Sequence, residues 1–249
     1  MLTEERRQRI LTTLARDGRV VAKDVSTELS LSEDTIRRDL RQLAAEGLLQ
    51  RVHGGALPAS RAVRDLQARG EIFPAEKQAI GRAAAAMVTR GQVVFVDGGT
   101  TALWLARALD KSLAATVVTH SPVIAAALAD HAAEVILIGG RLYKHSMVSV
   151  GAAAAAAISQ IRADTYFMGV TGVHASVGFT TGDAEEAQIK RALMASAAET
   201  VVLASPEKLG AASPFVVAAP GEPSTLVTAG AAAADLADFE RLGLTIVRA

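Results

Sequence analysis

The hydrophobic period of the chain changes once, and that change restricts the fold more than any single motif. Residues 1–57 repeat at the 3.6-residue spacing of amphipathic helices. From about residue 76, short β-branched runs alternate with alanine-rich stretches instead. Such alternation predicts an α/β domain with a largely parallel sheet. The runs fall at 93–96, 116–119, 135–138, 200–203, 215–217, 226–228 and 244–247. At 249 residues the chain has room for two domains. The expected division is a first domain at 1–57, a linker at 58–74 and an α/β domain at 75–249. The linker carries Pro58, Ser60, Gly70 and Pro74 among alternating charges and is expected to be partly helical.

The first 57 residues predict three short helices and a small hairpin, the outline of a winged helix-turn-helix. Thr3 is placed to cap a helix whose buried stripe is Ile10, Leu11 and Leu14, and Gly18 can end it. A second helix covers 22–29, and Leu31 plugs the following turn. Ser32 caps a third helix over 33–46, with Ile36, Leu40, Leu43 and Ala44 on one face and Gly47 at its end. A strand at 48–52 leads into the turn His53-Gly54-Gly55.

A helix that enters the major groove needs an apolar face docked on its own domain and a cationic face toward DNA. The third helix has that layout. Ser32 caps it and Thr35 sits in its first turn, where base edges are reached; both are candidates for DNA contact. Arg37, Arg38 and Arg41 can pair with phosphates or, bidentately, with guanine, while Arg51 and His53 lie on the wing. The plainer alternative is a solvated face paired at i,i+4, as in Asp34–Arg38.

In the second region, Asp97-Gly98-Gly99-Thr100-Thr101 joins a strand to a helix. Such a turn presents backbone N–H groups and a helix dipole to an anion. It is neither a Walker A loop nor a full dinucleotide fingerprint. Asp97 adds a carboxylate suited to sugar hydroxyls. His120 and Gly140 end strands, Gly151 precedes a helix, and Glu186 and Lys190 share a helix face. Ser205 and Lys208 follow another strand. In an open α/β sheet such strand ends line the ligand crevice, and Lys190 and Lys208 are the best cations there for a phosphate.

The segment Ser32-x-x-Thr35-Ile36-Arg37-Arg38-Asp39-Leu40, with Arg51-Val52-His53-Gly54-Gly55-Ala56, closely resembles the DNA-binding region of DeoR-type transcriptional regulators. The second region resembles their effector domain through its D-x-G-T-T loop, its Gly-Gly turn, the Val150-Gly151 pair, the E-A-x-x-K-R helix and the strand ending in Ser and Lys. The resemblance spans roughly residues 3–230. It implies a fold similar to ribose-5-phosphate isomerase, a phosphorylated sugar or polyol as effector, and double-stranded operator DNA as partner. This chain departs from the pattern at His120, where the family has Asn, and at Ser205 and Ala229, where it has Asp. The last two changes remove carboxylates from near the expected site.

Composition sets outer limits. With no cysteine, disulfides, a thiolate nucleophile and cysteine-based metal sites are excluded. No metal, cofactor or catalytic residue is expected. The N-terminus has no apolar leader, and the longest uncharged stretches, 112–129 and 165–182, are broken by polar residues, Pro or Gly. A cytoplasmic protein without a membrane partner is expected. The 26 basic and 26 acidic residues cancel, and residues 1–57 hold ten of the former against nine of the latter. DNA binding therefore depends on placement and on pairing of two half-sites in a homodimer or homotetramer, not on bulk charge. Two other readings stay open: a sugar-phosphate isomerase with Asp97 or Glu186 as base, and a metabolite-binding protein that ignores DNA.

Overall fold

The computed structural model describes residues 2–60 and 66–249; the expected linker thus falls partly outside the described residues. The N-terminal module is built from α1 (Thr3–Asp17), β1 (Val20–Val21), α2 (Ala22–Glu28), α3 (Glu33–Ala45), β2 (Leu49–Val52) and β3 (Gly55–Pro58). Thr3 is the first helical residue and not the cap. The cap position is Leu2, whose N–H donates to the Glu5 carboxylate at 3.1 Å. Ser32 caps α3 as expected, its Oγ accepting from Thr35 N at 3.3 Å. Ile10, Leu14, Val25, Ile36, Leu40, Leu43 and Leu49 form this module's own core. Fully burying each such side chain stabilises by about 1.5–3 kcal/mol.

Asp39 is buried on α3 beside Ile36, Leu40 and Leu43. It is held by the Arg6 guanidinium, with Arg6 Nη2 donating to Oδ1 at 3.0 Å and a second, shorter bond from Nε. Its charge thus fastens α3 to α1. The wing closes through Gly55, where a Cβ would meet the Val20 carbonyl oxygen at 1.8 Å. Only glycine lets β1 add to the β2–β3 hairpin there.

The second region begins with α4 (Leu66–Gly70), α5 (Pro74–Ala85), β4 (Val93–Val96), α6 (Thr100–Ala108), β5 (Thr116–Thr119), α7 (Pro122–Ala127) and β6 (Glu134–Leu137). A hairpin of β7 (Arg141–Tyr143) and β8 (Val148–Val150) leads to α8 (Ala152–Ser159), β9 (Ala163–Gly169), β10 (Gly172–His174) and β11 (Gly178–Thr181). Then come α9 (Ala184–Ala195), β12 (Ala197–Leu203), a 3₁₀ turn (Pro206–Lys208), β13 (Phe215–Ala218), β14 (Thr225–Thr228), α10 (Ala233–Arg241) and β15 (Thr245–Arg248).

Seven strands form a parallel sheet in the order β15-β14-β12-β9-β4-β5-β6. Side chains alternate between its faces, as the period of two requires. Val94, Val96 and Phe167 pack toward α5, α6 and α7. Phe95, Tyr166 and Met168 pack toward α8, α9 and α10. The strand at 215–217 joins a separate antiparallel sheet, β10-β11-β13, and not the parallel one. No β-branched run marks β9, which lies at the centre of the main sheet. No helix among the described residues is long and apolar enough to cross a membrane.

Candidate functional site

Chain order runs outward in both directions from the boundary between β4 and β9. From β4 it proceeds to β5 and β6 on one side; from β9 it proceeds to β12, β14 and β15 on the other. At such a switch point the crossovers diverge and leave a crevice beyond the carboxyl strand ends. A pocket lies there. Gly98, Gly99, Thr100 and Thr101 line it from β4, Gly169 to Thr171 from β9, and Glu186 and Lys190 from α9. Glu207 and Lys208 line it from the 3₁₀ turn, and Arg69 and Lys77 from α4 and α5. Gly99 has φ +110°, outside the range of most side chains, and turns the chain so that α6 starts at the pocket. The Thr101 hydroxyl is buried there with no hydrogen-bond partner among the described residues.

Asp97 and His120 are drawn together but lie beneath the pocket, fully buried. Asp97 was expected to meet sugar hydroxyls; its oxygens are already saturated. Oδ1 accepts from Gly98 N at 2.8 Å and lies 2.8 Å from His120 Nε2. Oδ2 accepts from Tyr166 OH at 2.8 Å, Gly169 N at 2.9 Å and Lys190 Nζ at 2.5 Å. Burial pushes this carboxyl up, but the Lys190 ammonium and His120 outweigh it and hold it well below the ordinary carboxylate range. Asp97 therefore stays charged and aims Lys190 and the 98–101 loop. The second ring nitrogen of His120, Nδ1, lies 2.9 Å from the Ser149 carbonyl oxygen. The imidazole bridges β5 to β8, with both ring nitrogens occupied. Gly140 and Gly151 are likewise off the pocket lining. Gly140 packs against Val150, and Gly151 caps α8.

Of the residues singled out from sequence, Gly98, Gly99, Thr100, Thr101, Glu186, Lys190 and Lys208 share the pocket. Arg69, Lys77 and Glu207 were missed. Lys77 is buried, with Nζ donating to the Arg69 carbonyl at 2.6 Å and lying 3.8 Å from Glu207 Oε1. Its signal was present: it shares a helix face with Ile80, Gly81 and Ala84, so a cation stands on the buried side of α5. Glu207 accepts from Ser205 Oγ at 2.8 Å. A carboxylate thus faces the site even though Ser205 and Ala229 replace the family's acids.

The electrostatics favour an anion. Arg69, Lys77, Lys190 and Lys208 line the pocket against the carboxylates of Glu186 and Glu207. Lys190 lies 3.8 Å from Glu186, whose Oε2 accepts from Thr181 Oγ1 at 3.2 Å. The Lys208 side chain is buried, and its ammonium makes no hydrogen bond or ion pair among the described residues. Burial lowers its amine to about 7; Glu207 opposes this, and Lys77, Arg69 and Lys190 add to it. With Asp97 beneath Lys190, the count is four cations to three carboxylates, and the surplus cation is costly to bury unless a counter-charge enters.

The other candidate face is on the N-terminal module. Arg38 and Arg41 are exposed on α3, and Arg51 and His53 on the wing, with no carboxylate partner among the described residues. Arg37 is exposed but tied to Glu33 at 2.7 Å. Thr35 is partly covered, its hydroxyl 3.0 Å from the exposed Ser32 Oγ.

The family model described as the DeoR-like helix-turn-helix domain matches residues 6–62, and that of the DeoR C terminal sensor domain matches residues 73–229. The HTH-type transcriptional regulator GlpR of Haloferax volcanii is 36% identical over 99% of this chain and 98% of its own. The glycerol-3-phosphate regulon repressor of Haemophilus influenzae is 31% identical over 82% of this chain and 80% of its own. Among solved structures, ribose 5-phosphate isomerase A of Methanocaldococcus jannaschii is a distant neighbour. It is 17% identical over 53% of this chain and 52% of its own, with a TM-score of 0.39.

Proposed function

Because this chain belongs to the DeoR family of transcriptional regulators, we propose that it represses a sugar or polyol catabolic operon and leaves its operator when a phosphorylated intermediate binds. Residues 1–57 carry the DNA-reading module, 58–74 the connection and 75–249 the sensor. The protein would act in the cytoplasm as a homodimer or homotetramer, since one recognition helix reads only a half-site. Ser32, Thr35, Arg37, Arg38, Arg41, Arg51 and His53 form the DNA face in this reading.

The observation that carries the effector assignment is the cation-rich pocket at the start of α6, with Lys208 and the Thr101 hydroxyl unpartnered inside it. The phosphoryl group would take the 98–101 loop and Lys208, while Glu186 and Glu207 offer acceptors for ligand hydroxyls. The name of the Haemophilus influenzae relative supports a phosphorylated polyol as one class to try. The isomerase reading needs a base facing the substrate. Asp97 is occupied by five donors, which argues against that role, and the α3 arginines would be left without a task.

The test is a selection of binding sites from random duplex DNA, followed by mobility shifts with sugar and polyol phosphates. One phosphorylated compound should release the selected duplex, and its unphosphorylated parent should not. If no phosphorylated compound weakens binding, the effector half of the proposal is wrong.

A further inference from the structure

The pocket's cations do not all come from the sensor sheet. Arg69 lies on α4, in the segment that connects the two regions, and Lys77 lies one turn into α5. Arg69 Nη2 reaches Ser146 Oγ and the His145 carbonyl, each at 3.4 Å. Lys77 grips the Arg69 carbonyl at 2.6 Å, which ties α5 to α4. The near end of the segment is fastened to the same pocket. Ser60, buried, donates from Oγ to the carbonyl of Thr171, a pocket-lining residue. Ala212, four residues after Lys208, donates its N–H to the Pro58 carbonyl at 3.3 Å. The segment thus meets the pocket wall on both sides of residues 61–65.

We propose that α4 of the connection is itself part of the anion site: Arg69, with Lys77 of the adjoining α5, closes on the ligand's phosphoryl group together with Lys208 and the 98–101 loop, so the segment that carries the DNA-reading module senses occupancy directly. This rests on the reading of the pocket as a phosphate-ester site. The chemistry is specific to a tetrahedral dianion. A guanidinium offers a planar pair of donors and an ammonium a point charge, and charge-assisted bonds from both converge on the same oxygens. To reach them, Lys77 must redirect its ammonium from the Arg69 carbonyl. Binding therefore exchanges a contact that holds α4 in the empty state for one through the ligand.

Hydrogen exchange on the full chain, with inorganic phosphate against chloride at matched ionic strength, separates this inference from the reading beneath it. Slower exchange in both the 98–101 loop and α4 is the expected result. Protection of the loop with α4 unchanged would overturn the role of the segment while leaving the phosphate site standing. Protection of neither would overturn both. A variant gives an independent check that does not threaten the core, because Arg69 is only partly buried. Arg69→Gln should weaken phosphate binding about tenfold, the loss of one charge-assisted contact, with thermal unfolding unchanged in the absence of phosphate. An Arg69→Gln protein that binds phosphate like the parent would count decisively against the inference.

Discussion

Lys208 gives the pocket a pH signature. Its amine has a pKa of about 7 in the fold, against the ordinary 10.5. Between those values the unfolded chain holds the proton and the folded one does not, so stability from this group rises with pH across that window and is lost as pH falls toward 7. A phosphoryl dianion beside it favours the charged amine. Binding at about pH 8 should therefore draw in a proton, above the phosphate's own titration near 6. Calorimetric enthalpies should vary with the ionisation heat of the buffer, and Lys208→Met should abolish that variation. Equal enthalpies in all buffers for the unaltered chain would contradict the assignment. Asp97 makes the opposite kind of prediction. Asp97→Asn leaves the buried Lys190 with only Glu186, 3.8 Å away, as counter-charge and should cost about 3 kcal/mol in urea unfolding. A cost below about 1 kcal/mol would mean that its bonds are replaceable.

The α3 helix divides its charges by task, and substitution should separate them. Arg38→Ala or Arg41→Ala should each weaken operator binding by about 1–3 kcal/mol, read in mobility shifts, with the melting temperature unchanged. Arg37→Ala should cost less, because Arg37 already has Glu33 at 2.7 Å and must leave it to reach DNA. Asp39→Ala should instead destabilise the module by about 3 kcal/mol, since it takes from Arg6 and Arg7 of α1 the α3 carboxylate that they share. This module is legible in sequence because its signals are local: a Ser32 cap, a stripe at 36, 40 and 43, and Gly54-Gly55 between two short strands. The sensor is less so. β9 escapes notice because Thr165 is its one β-branched residue; its strand character comes from lying between β4 and β12. The pocket was half legible for the same reason. The 98–101 loop announces itself as Gly-rich, whereas Lys77 and Glu207 become neighbours only when α5 folds against the end of β12, and no short-range pattern encodes that. The occupancy of Asp97 is equally non-local, because the five donors that fill it come from four separate segments.

For the whole molecule, the proposed function makes repression and release one coupling free energy. If a phosphorylated compound weakens operator binding by a given factor, typically about 5- to 150-fold, the operator must weaken binding of that compound equally. Titrating the compound into the chain with and without its duplex should return the same factor both ways; unequal factors at equilibrium would show that a third species, such as a change of oligomer, takes part. The attachment of the first module bears on how such regulators can be recombined. Ser60 bonds the Thr171 carbonyl and Arg69 lines the pocket, so the boundary between reading and sensing does not run through the middle of the connection. A hybrid regulator spliced at residue 74 would give the sensor a foreign residue in place of Arg69 and would respond poorly to its own inducer. The same hybrid spliced at residue 57 would keep the sensor's native approach and should respond at the parent's inducer concentration, whichever operator its new headpiece reads.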